Sequence, residues 1–345
     1  MPDSATCGIA CKQAHTAVMR RLSALLDTPA GRFARYAFSA LLVAALVWNI
    51  DWRQFAGLRG QFALAPVALA TLIAGLTFPL HAWRWWLLLR AQDLPRSFHW
   101  AHVVTWIGNF YNAFLLGGLG GDAARAFYVC RDDPTQRAAG LAATFLDRVL
   151  GLIVLLSLAA LTLLLKLETV THHAELRLLL ALCAVLSITG GIAFAVICRR
   201  PPPWLTHWLG ETRAATLADI LRRAGSARRP FIAALASSYV IWLLDFVSVW
   251  LLARSAGLPL PFIDVSLAMS VAYAVTVLPV SVGGHGVREG AMLGTLALLG
   301  RIPTDDARQH ALLLAVLVWA VSVGWSLVGG AVLLLARRLL PPPQA

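Results

Sequence analysis

The chain alternates between long runs of apolar residues and short polar connections. A transmembrane helix needs about 20 consecutive apolar residues, and six runs approach or reach that length. They cover residues 33–50, 62–80, 149–165, 176–197, 231–253 and 311–335. Two further runs, 100–116 and 265–282, are apolar but contain polar residues or proline and lead into glycine clusters. The pattern predicts an all-α polytopic membrane protein with eight apolar segments.

Composition and charge narrow the class of protein further. Of the 345 residues, 59% are hydrophobic and 13% are charged, and the mean hydropathy is +0.72. Soluble domains contain about 25% charged residues, so this chain has more apolar surface than a water-soluble fold could bury. The formal net charge of +12 is spread over the connections between apolar runs. That distribution is typical of loops facing anionic lipid and argues against nucleic-acid binding.

The distribution of arginine predicts the orientation of the chain. Segment 199–230 contains seven arginines and two acidic residues, so the positive-inside rule places it in the cytoplasm. If run 100–116 crossed the membrane as a full span, this basic segment would lie outside. We therefore expect six full spans and two re-entrant hairpins, whose chains return through 122–129 and 287–299. Both termini then lie in the cytoplasm.

The order of these segments repeats along the chain. Two spans, a hairpin and a span occupy residues 33–165, and the same order recurs over 176–335 in the opposite direction through the membrane. Inverted repeats with glycine-broken segments in corresponding positions indicate a transport site near the midplane. We expect one transmembrane domain over 33–338, preceded by a cytoplasmic segment of residues 1–32 and followed by a cytoplasmic tail of residues 339–345.

Four charged residues lie just past the glycine clusters, and the hairpin arrangement puts them inside the membrane. They are Asp122, Arg125, Arg288 and Glu289. Free N–H groups at a helix N-terminus, closely approaching glycine backbone and an arginine fork together suit a phosphate. The backbone contacts would come from Gly118, Gly120, Gly121, Gly283, Gly284 and Gly286. Three structural alternatives stay open: Asp122 as a helix cap, Arg288 paired with Glu289, and the glycines as positions of tight packing.

Other charged residues fall inside or next to predicted spans. Asp147 and Arg148 stand at the beginning of a span and follow an apolar run, so we expect both side chains to point into the protein. Asp245 lies in the middle of a span with no charge nearby in sequence, and is a candidate acceptor of a headgroup ammonium or a proton. Arg84, flanked by tryptophans, fits an aromatic belt with an arginine that reaches the interface.

The sequence contains no convincing catalytic motif, so we expect neither an enzyme nor a bound metal or cofactor. The five cysteines lack the spacing of a disulfide framework or a zinc site. An enzymatic alternative is a phosphatidyltransferase, because Asp122 followed by Asp132 and Asp133 weakly resembles the acid-rich motif of the CDP-alcohol family. That motif needs acids one helical turn apart to hold a divalent metal, and here Arg131 and Arg137 interrupt the series.

Two motifs resemble those of a known family. The segment LPVSVGGHGVREG, residues 278–290, looks like the most recognisable motif of the lysylphosphatidylglycerol synthase transmembrane region family, also called flippase-like membrane proteins. The segment GGLGGDAAR, residues 117–125, resembles the family's other signature. Asp147 with Arg148 matches the acid–arginine pair that follows it. The resemblance covers about residues 35–338.

The resemblance implies a multi-pass inner-membrane protein that moves lipids or lipid-linked headgroups between leaflets. Some members carry a C-terminal soluble domain that aminoacylates phosphatidylglycerol, which we do not expect here. The predicted function is a lipid flippase or transporter whose partners are membrane phospholipids or isoprenoid lipids. A membrane enzyme of headgroup transfer and a non-transporting scaffold of a lipid-synthesis complex are the alternatives. A lipid-synthesis enzyme as partner and a homo-oligomer stay open.

Overall fold

A computed structural model of the chain describes residues 64–114, 120–132, 136–199, 211–276 and 284–339. Within these ranges the chain is helical and contains no strand. In chain order the helices are α1 (Leu64–Ala91), α2 (Phe98–Phe114), α3 (Gly120–Asp132), α4 (Arg137–Leu165), α5 (Leu167–His172), α6 (Ala174–Arg199), α7 (Glu211–Ser226), α8 (Arg228–Ser255), α9 (Phe262–Thr276), α10 (Val287–Leu298) and α11 (Asp305–Leu339). The predicted all-α class is confirmed for the described residues.

Five of these helices, α1, α4, α6, α8 and α11, are long and apolar enough to cross a membrane. They correspond to five of the six predicted full spans, and the sixth, 33–50, lies outside the described residues. Helix α4 begins at Arg137, so the prediction that Asp147 and Arg148 stand at the beginning of a span is wrong. Both lie inside α4, because the apolar run before them, 140–145, continues the helix toward its N-terminus.

The two interrupted runs are each followed by a second short helix, and each forms a pair with it. Helix α2 packs along α3, and α9 packs along α10. The four helices contain 17, 13, 15 and 12 residues. At a helical rise of 1.5 Å per residue they are about 25, 20, 22 and 18 Å long, which is less than the roughly 30 Å of a hydrocarbon core. Over its described residues, each of these helices is therefore shorter than a hydrocarbon core.

The long and short helices pack in a crossed pattern. Helices α1 and α8 form the most extensive pair in the described structure. Helix α11 packs along α2, and α4 packs along α9. The last long helix of each half of the chain therefore lies against the first short helix of the other half. This crossing brings charged residues from both halves to the centre of the bundle.

The long helices expose apolar side chains on their outer surfaces. Leu178, Leu182 and Leu186 of α6 are 62%, 49% and 52% exposed. Residues four apart share one face of a helix, so α6 presents a continuous stripe of leucine. An exposed apolar surface of this kind marks contact with a partner or a membrane, and on a helix of this length it fits the lipid-facing side of a span.

Segment 199–230, which the sequence predicts as a basic loop, contains the helix α7, and α7 is fastened to the bundle. Nη1 of Arg223 lies 3.1 Å from Oδ2 of Asp93, in the connection between α1 and α2. Nε2 of Gln92 donates to the carbonyl oxygen of Ile220 at 3.2 Å. The described part of the segment is therefore docked on the end of α1.

Candidate functional site

Polar side chains surround a cavity at the centre of the bundle, and this cavity has two adjoining chambers. The first chamber has a volume of about 230 Å³ and lies among α1, α2, α3, α4, α8 and α9. The second chamber has a volume of about 200 Å³ and lies among α1, α2, α8, α9, α10 and α11. Phe78, His81, Asn109 and Tyr273 line both chambers, so the two are neighbours.

The first chamber is built around one buried carboxylate that holds two arginines. Arg84 of α1 donates from Nε to Oδ1 of Asp147 at 2.7 Å and from Nη2 to Oδ2 at 3.0 Å. Arg125 of α3 donates from Nη1 to Oδ2 of the same aspartate at 2.9 Å. The three residues are only 5%, 3% and 9% exposed, in the order Arg84, Asp147 and Arg125. We call them the Arg–Asp–Arg triad, which has a formal charge of +1 when all three are ionised.

Neighbouring side chains hold the two guanidinium groups in place. The hydroxyl of Ser238 on α8 accepts from Nη1 of Arg84 at 3.1 Å. The hydroxyl of Thr105 on α2 accepts from Nη2 of Arg125 at 3.4 Å. The guanidinium carbon of Arg125 lies 5.0 Å from the centroid of the Trp85 ring, within the range of a cation–π interaction. Side chains from five helices, α1, α2, α3, α4 and α8, thus fix the orientation of the triad.

The interpretation of Arg84 as an interfacial arginine in an aromatic belt is wrong. Its side chain is 6% exposed, because α1 continues to Ala91 and places this position inside the bundle. The neighbouring Trp85 is fully buried, whereas Trp83 is 36% exposed. Sequence reasoning missed Arg84 because its partner Asp147 is 63 residues away along the chain. The available signal for a buried functional residue was an arginine inside an apolar run.

The second acid of the first chamber is Asp122, which lies in the first turn of α3. Its Oδ2 accepts a hydrogen bond from Nε of Arg148. The Arg148 side chain is 44% exposed and that of Asp122 is 18% exposed, so this pair is more accessible than the triad. Asp147 is therefore buried as expected, and Arg148 also lines the first chamber, with a side chain that is partly exposed.

The backbones of α2 and α3 meet at two glycines. A Cβ atom on Gly121 would lie 2.6 Å from the carbonyl oxygen of Gly108, which is too close for any side chain. The N–H of Gly121 donates to Oδ1 of Asn112 at 2.8 Å. This N–H, predicted to contact phosphate, is therefore used within the protein. Gly118 lies outside the described residues, and a phosphate contact by Gly120 stays a prediction.

The second chamber contains the charged pair of the second glycine motif. Nε and Nη2 of Arg288 donate to Oε1 of Glu289 at 2.9 and 2.6 Å. Nη1 of Arg288 lies 3.4 Å from the hydroxyl of Ser322 on α11. Arg288 is 7% exposed and Glu289 is 1% exposed. The structure thus shows the pairing that the sequence left open, and Arg288 still lines the chamber.

Glu289 also caps the N-terminus of α10. Its Oε2 accepts from the N–H of Gly286 at 2.7 Å, so this N–H, predicted to contact phosphate, is used within the protein. Gly284 and Gly286 have φ angles of 75° and 79°, in the left-handed region that favours glycine. These two glycines shape the turn before α10. Gly283 lies outside the described residues, and a phosphate contact by Gly284 stays a prediction.

Asp245 of α8 is a further charged residue of the second chamber. It lines the chamber together with Arg288, and no hydrogen bond or ion pair joins it to another side chain in the described ranges. The predicted mid-span position is confirmed, because α8 extends from Arg228 to Ser255. The tertiary structure shows in addition that Arg288, which belongs to α10, lines the same chamber.

The two chambers differ in formal charge. The lining of the first has three arginines and two aspartates, a balance of +1. The second has Arg288 and Asp245 in its lining, with Glu289 bonded to Arg288, a balance of −1. A guanidinium has five N–H donors in a fork that matches phosphate oxygens, whereas an ionised carboxylate only accepts. Within the described ranges, no three His, Cys, Asp or Glu side chains cluster as metal ligands would.

Comparison with known proteins agrees with these motifs. The model of a family described as the lysylphosphatidylglycerol synthase TM region matches residues 32–321. A "UPF0104 membrane protein" of Methanothermobacter thermautotrophicus is 24% identical over 302 residues, an alignment that covers 76% of this chain and 83% of that protein. The family match includes both glycine motifs and the whole Arg–Asp–Arg triad. The chain therefore belongs to the lysylphosphatidylglycerol synthase TM region family of multi-pass membrane proteins.

Proposed function

We propose that the protein is a lipid transporter of a bacterial inner membrane. It moves a phospholipid or a lipid-linked headgroup between the two leaflets. The headgroup passes through the two chambers while the acyl chains stay among the lipid-exposed surfaces of the helices. Family membership supports a lipid-related function in a membrane. The polar cavity at the centre of the bundle supports a route for a charged headgroup.

The observation that carries this proposal is the Arg–Asp–Arg triad. Two arginines share one carboxylate, and among the described residues no second carboxylate bonds to either of them. An uncompensated charge inside a membrane protein is costly and usually functional. A lipid phosphate entering the first chamber would supply the missing negative charge. The site therefore favours an anionic group at the position where the triad faces the cavity.

The triad also suits the release of a headgroup. Asp147 accepts hydrogen bonds from some of the N–H groups of both arginines. A phosphate bound at the same guanidinium groups therefore competes with an internal partner, which lowers its affinity. A transport site needs this property, because a substrate held too tightly does not leave. In the second chamber, Asp245 is the candidate acceptor for an ammonium group on the same headgroup or for a proton.

The packing pattern supports a two-fold repeat, and the distribution of arginine supports its inversion. Taking the two halves of the chain in order, α1 corresponds to α8, α2 to α9, α3 to α10, and α4 to α11. Exchanging the halves converts the α2–α11 contact into the α9–α4 contact and leaves the α1–α8 contact unchanged. A pseudo-two-fold axis produces this pattern. The pairs α2–α3 and α9–α10 are then the re-entrant hairpins, and rocking of one half against the other exposes the chambers to each leaflet in turn.

Reconstitution into liposomes tests the proposal. The assay measures leaflet exchange of labelled anionic, zwitterionic and isoprenoid lipids, with and without magnesium. We expect exchange of at least one lipid class, and a decrease of about tenfold in Arg125→Gln, since a hydrogen bond to a charged group contributes about 1.5–3 kcal/mol. Arg254→Gln is the matched control, because the Arg254 guanidinium stacks on Trp250 at 4.8 Å, away from both chambers.

Two outcomes would contradict the transporter. The first is no exchange of any lipid by protein that is folded and correctly inserted. The second is the appearance of new lipid species that depends on magnesium, which would support the alternative of headgroup transfer by a membrane enzyme. Full exchange activity in Arg125→Gln would show that the headgroup does not bind the triad, although the protein would still be a transporter.

A further inference from the structure

A third cavity lies at the end of the bundle where the basic segment docks. Its volume is about 480 Å³, and side chains of α4, α6, α7 and α8 line it. We call it the lateral groove. Leu150 and Ile153 of α4 face this groove, whereas Gly151 and Leu152 of the same helix face the first chamber. Helix α4 thus separates the groove from the site of the proposed function, and the two can be tested independently.

The body of the lateral groove is apolar. The rings of Phe194 on α6 and Phe231 on α8 stack with centroids 5.1 Å apart and an interplanar angle of 14°. Gly191 leaves space on the α6 side, since a Cβ atom there would meet no atom within 4 Å. Ile232 is 64% exposed. An apolar groove open at its side suits a hydrocarbon chain.

One end of the lateral groove is cationic. Four of its lining residues, Arg228, Phe231, Ile232 and Leu235, follow the spacing i, i+3, i+4 and i+7 on α8, so they share one face of that helix. Seven residues of helix rise by about 10 Å. The apolar wall therefore runs for two helical turns from Arg228, the first residue of α8, toward the interior of the bundle.

The charge at this end is available to a ligand. Arg228 is exposed, and its guanidinium has no ion pair or hydrogen bond with any side chain in the described ranges. The exposed Arg222 and Arg229 are likewise without an ion pair there. Arg223, in contrast, pairs with Asp219 at 2.6 Å. Arg228 is thus an uncompensated cation in the lining of an apolar groove, and Arg222 and Arg229 add positive charge to the same two helices, α7 and α8.

We propose that the lateral groove binds an anionic phospholipid from the leaflet at this basic end of the bundle. One acyl chain lies against the stacked rings of Phe194 and Phe231, and the phosphate contacts Arg228. Charge complementarity selects this occupant, because a zwitterionic phospholipid would also bring an ammonium group close to the uncompensated guanidinium of Arg228. The bound lipid joins α7 to α4, α6 and α8.

Native mass spectrometry of the full chain in detergent tests the site. The probes are phosphatidylglycerol and phosphatidylcholine with identical acyl chains. We expect tighter retention of phosphatidylglycerol, and a decrease of about fivefold in Arg228→Gln with no change for phosphatidylcholine, since one cation near a membrane surface contributes about that factor. Arg254→Gln, at the other end of the same helix, should bind both lipids as the wild type does.

A second variant fills the lateral groove. Gly191→Leu places a side chain into the groove and should remove the retained phosphatidylglycerol. Gly324→Leu is its matched control, because a Cβ atom at Gly324 on α11 also meets no atom within 4 Å. If Gly191→Leu fails to fold, Arg228→Gln alone decides. Equal retention of the two lipids by the wild type, equal effects of Arg228→Gln and Arg254→Gln, or displacement of the lipid by soluble glycerol phosphate would overturn the proposal.

Discussion

Arg84 and Asp147 form a two-point contact between α1 and α4, with Nε–Oδ1 and Nη2–Oδ2 distances of 2.7 and 3.0 Å. Both residues are buried, so a charged contact joins the two helices in the interior of the bundle. Arg125 shares the same carboxylate and adds α3. One aspartate therefore organises three helices around the first chamber.

The triad predicts unequal effects of its members on stability. Asp147→Ala leaves two buried guanidinium groups without a carboxylate, whereas Arg125→Ala leaves the contact between Arg84 and Asp147 intact. Removing one partner of a buried ion pair costs about 3–5 kcal/mol. We expect Asp147→Ala to lower the thermal unfolding temperature in detergent much more than Arg125→Ala, with Arg254→Ala close to the wild type. Equal shifts for Asp147→Ala and Arg125→Ala would show that the shared carboxylate is not the organising group.

Variants of Arg288 and Glu289 distinguish a structural ion pair from a substrate-binding site. Glu289→Ala removes both the ion pair and the acceptor for the Gly286 N–H, so it should destabilise the protein by about 3–5 kcal/mol. Arg288→Ala should abolish transport, and Arg288→Lys should retain part of it, because lysine keeps the charge and loses the fork.

The double variant of these two residues decides between the roles. Arg288→Ala with Glu289→Ala should recover part of the lost stability and stay inactive in the liposome exchange assay. If the double variant regains transport together with stability, the pair is a structural brace and does not bind the headgroup.

The contact of α2 with α3 predicts that alanine substitutions at two glycines have opposite effects on stability. A Cβ atom on Gly121 would lie 2.6 Å from the Gly108 carbonyl oxygen, whereas one on Gly290 would meet no atom within 4 Å. Gly121→Ala should therefore cost about 1–3 kcal/mol through overpacking. Gly290→Ala, within α10, should stabilise by up to about 1 kcal/mol. Chemical or thermal unfolding in detergent measures both, and a neutral Gly121→Ala would show that the two short helices do not meet as described.

Asp245 predicts selectivity between headgroups. If its carboxylate accepts an ammonium group, Asp245→Asn should slow the exchange of zwitterionic phospholipids and leave that of anionic phospholipids nearly unchanged. If it carries a proton instead, the variant should slow every lipid and should flatten the dependence of transport on a pH gradient. Lipid selectivity and pH dependence are both measured in the same liposomes. An unchanged exchange rate for all lipids would show that Asp245 takes no part in transport.

The hairpin arrangement predicts the accessibility of two connections. In protein lacking its five native cysteines, a cysteine at Thr135 should react with a membrane-impermeant thiol reagent only from the cytoplasmic side. A cysteine at Thr304, an exposed residue before α11, should react only from the outside. Labelling of position 135 from the outside would mean that the chain crosses the membrane there, and the inverted repeat would fail with it.

Much of the fold could be predicted from local sequence. The long spans follow from the length of the apolar runs, because a helix in lipid must bury its backbone polar groups and expose apolar side chains over the whole hydrocarbon core. Their ends could not be placed in the same way. Helix α4 begins at Arg137, ahead of its most apolar part, since tertiary packing continues a helix beyond the region that lipid requires.

Parts of the site were also accessible to sequence reasoning. Glu289 lies three residues after Gly286, the spacing at which a side chain can cap its own helix, and the pairing with Arg288 joins adjacent residues. The glycine motif and these charges could therefore be read together. The use of the Gly121 N–H by Asn112 was not evident, because it depends on how closely α2 and α3 approach.

The sequence by itself determined the membrane class, five described spans and the family, because hydrophobic length and the local motif spacing are properties of neighbouring residues. Only the tertiary structure decided which charges meet. Arg84 reaches Asp147 across 63 positions, and Asp245 faces Arg288 from another helix. Such contacts depend on the relative rotation and depth of packed helices, which the order of residues within any one helix does not specify.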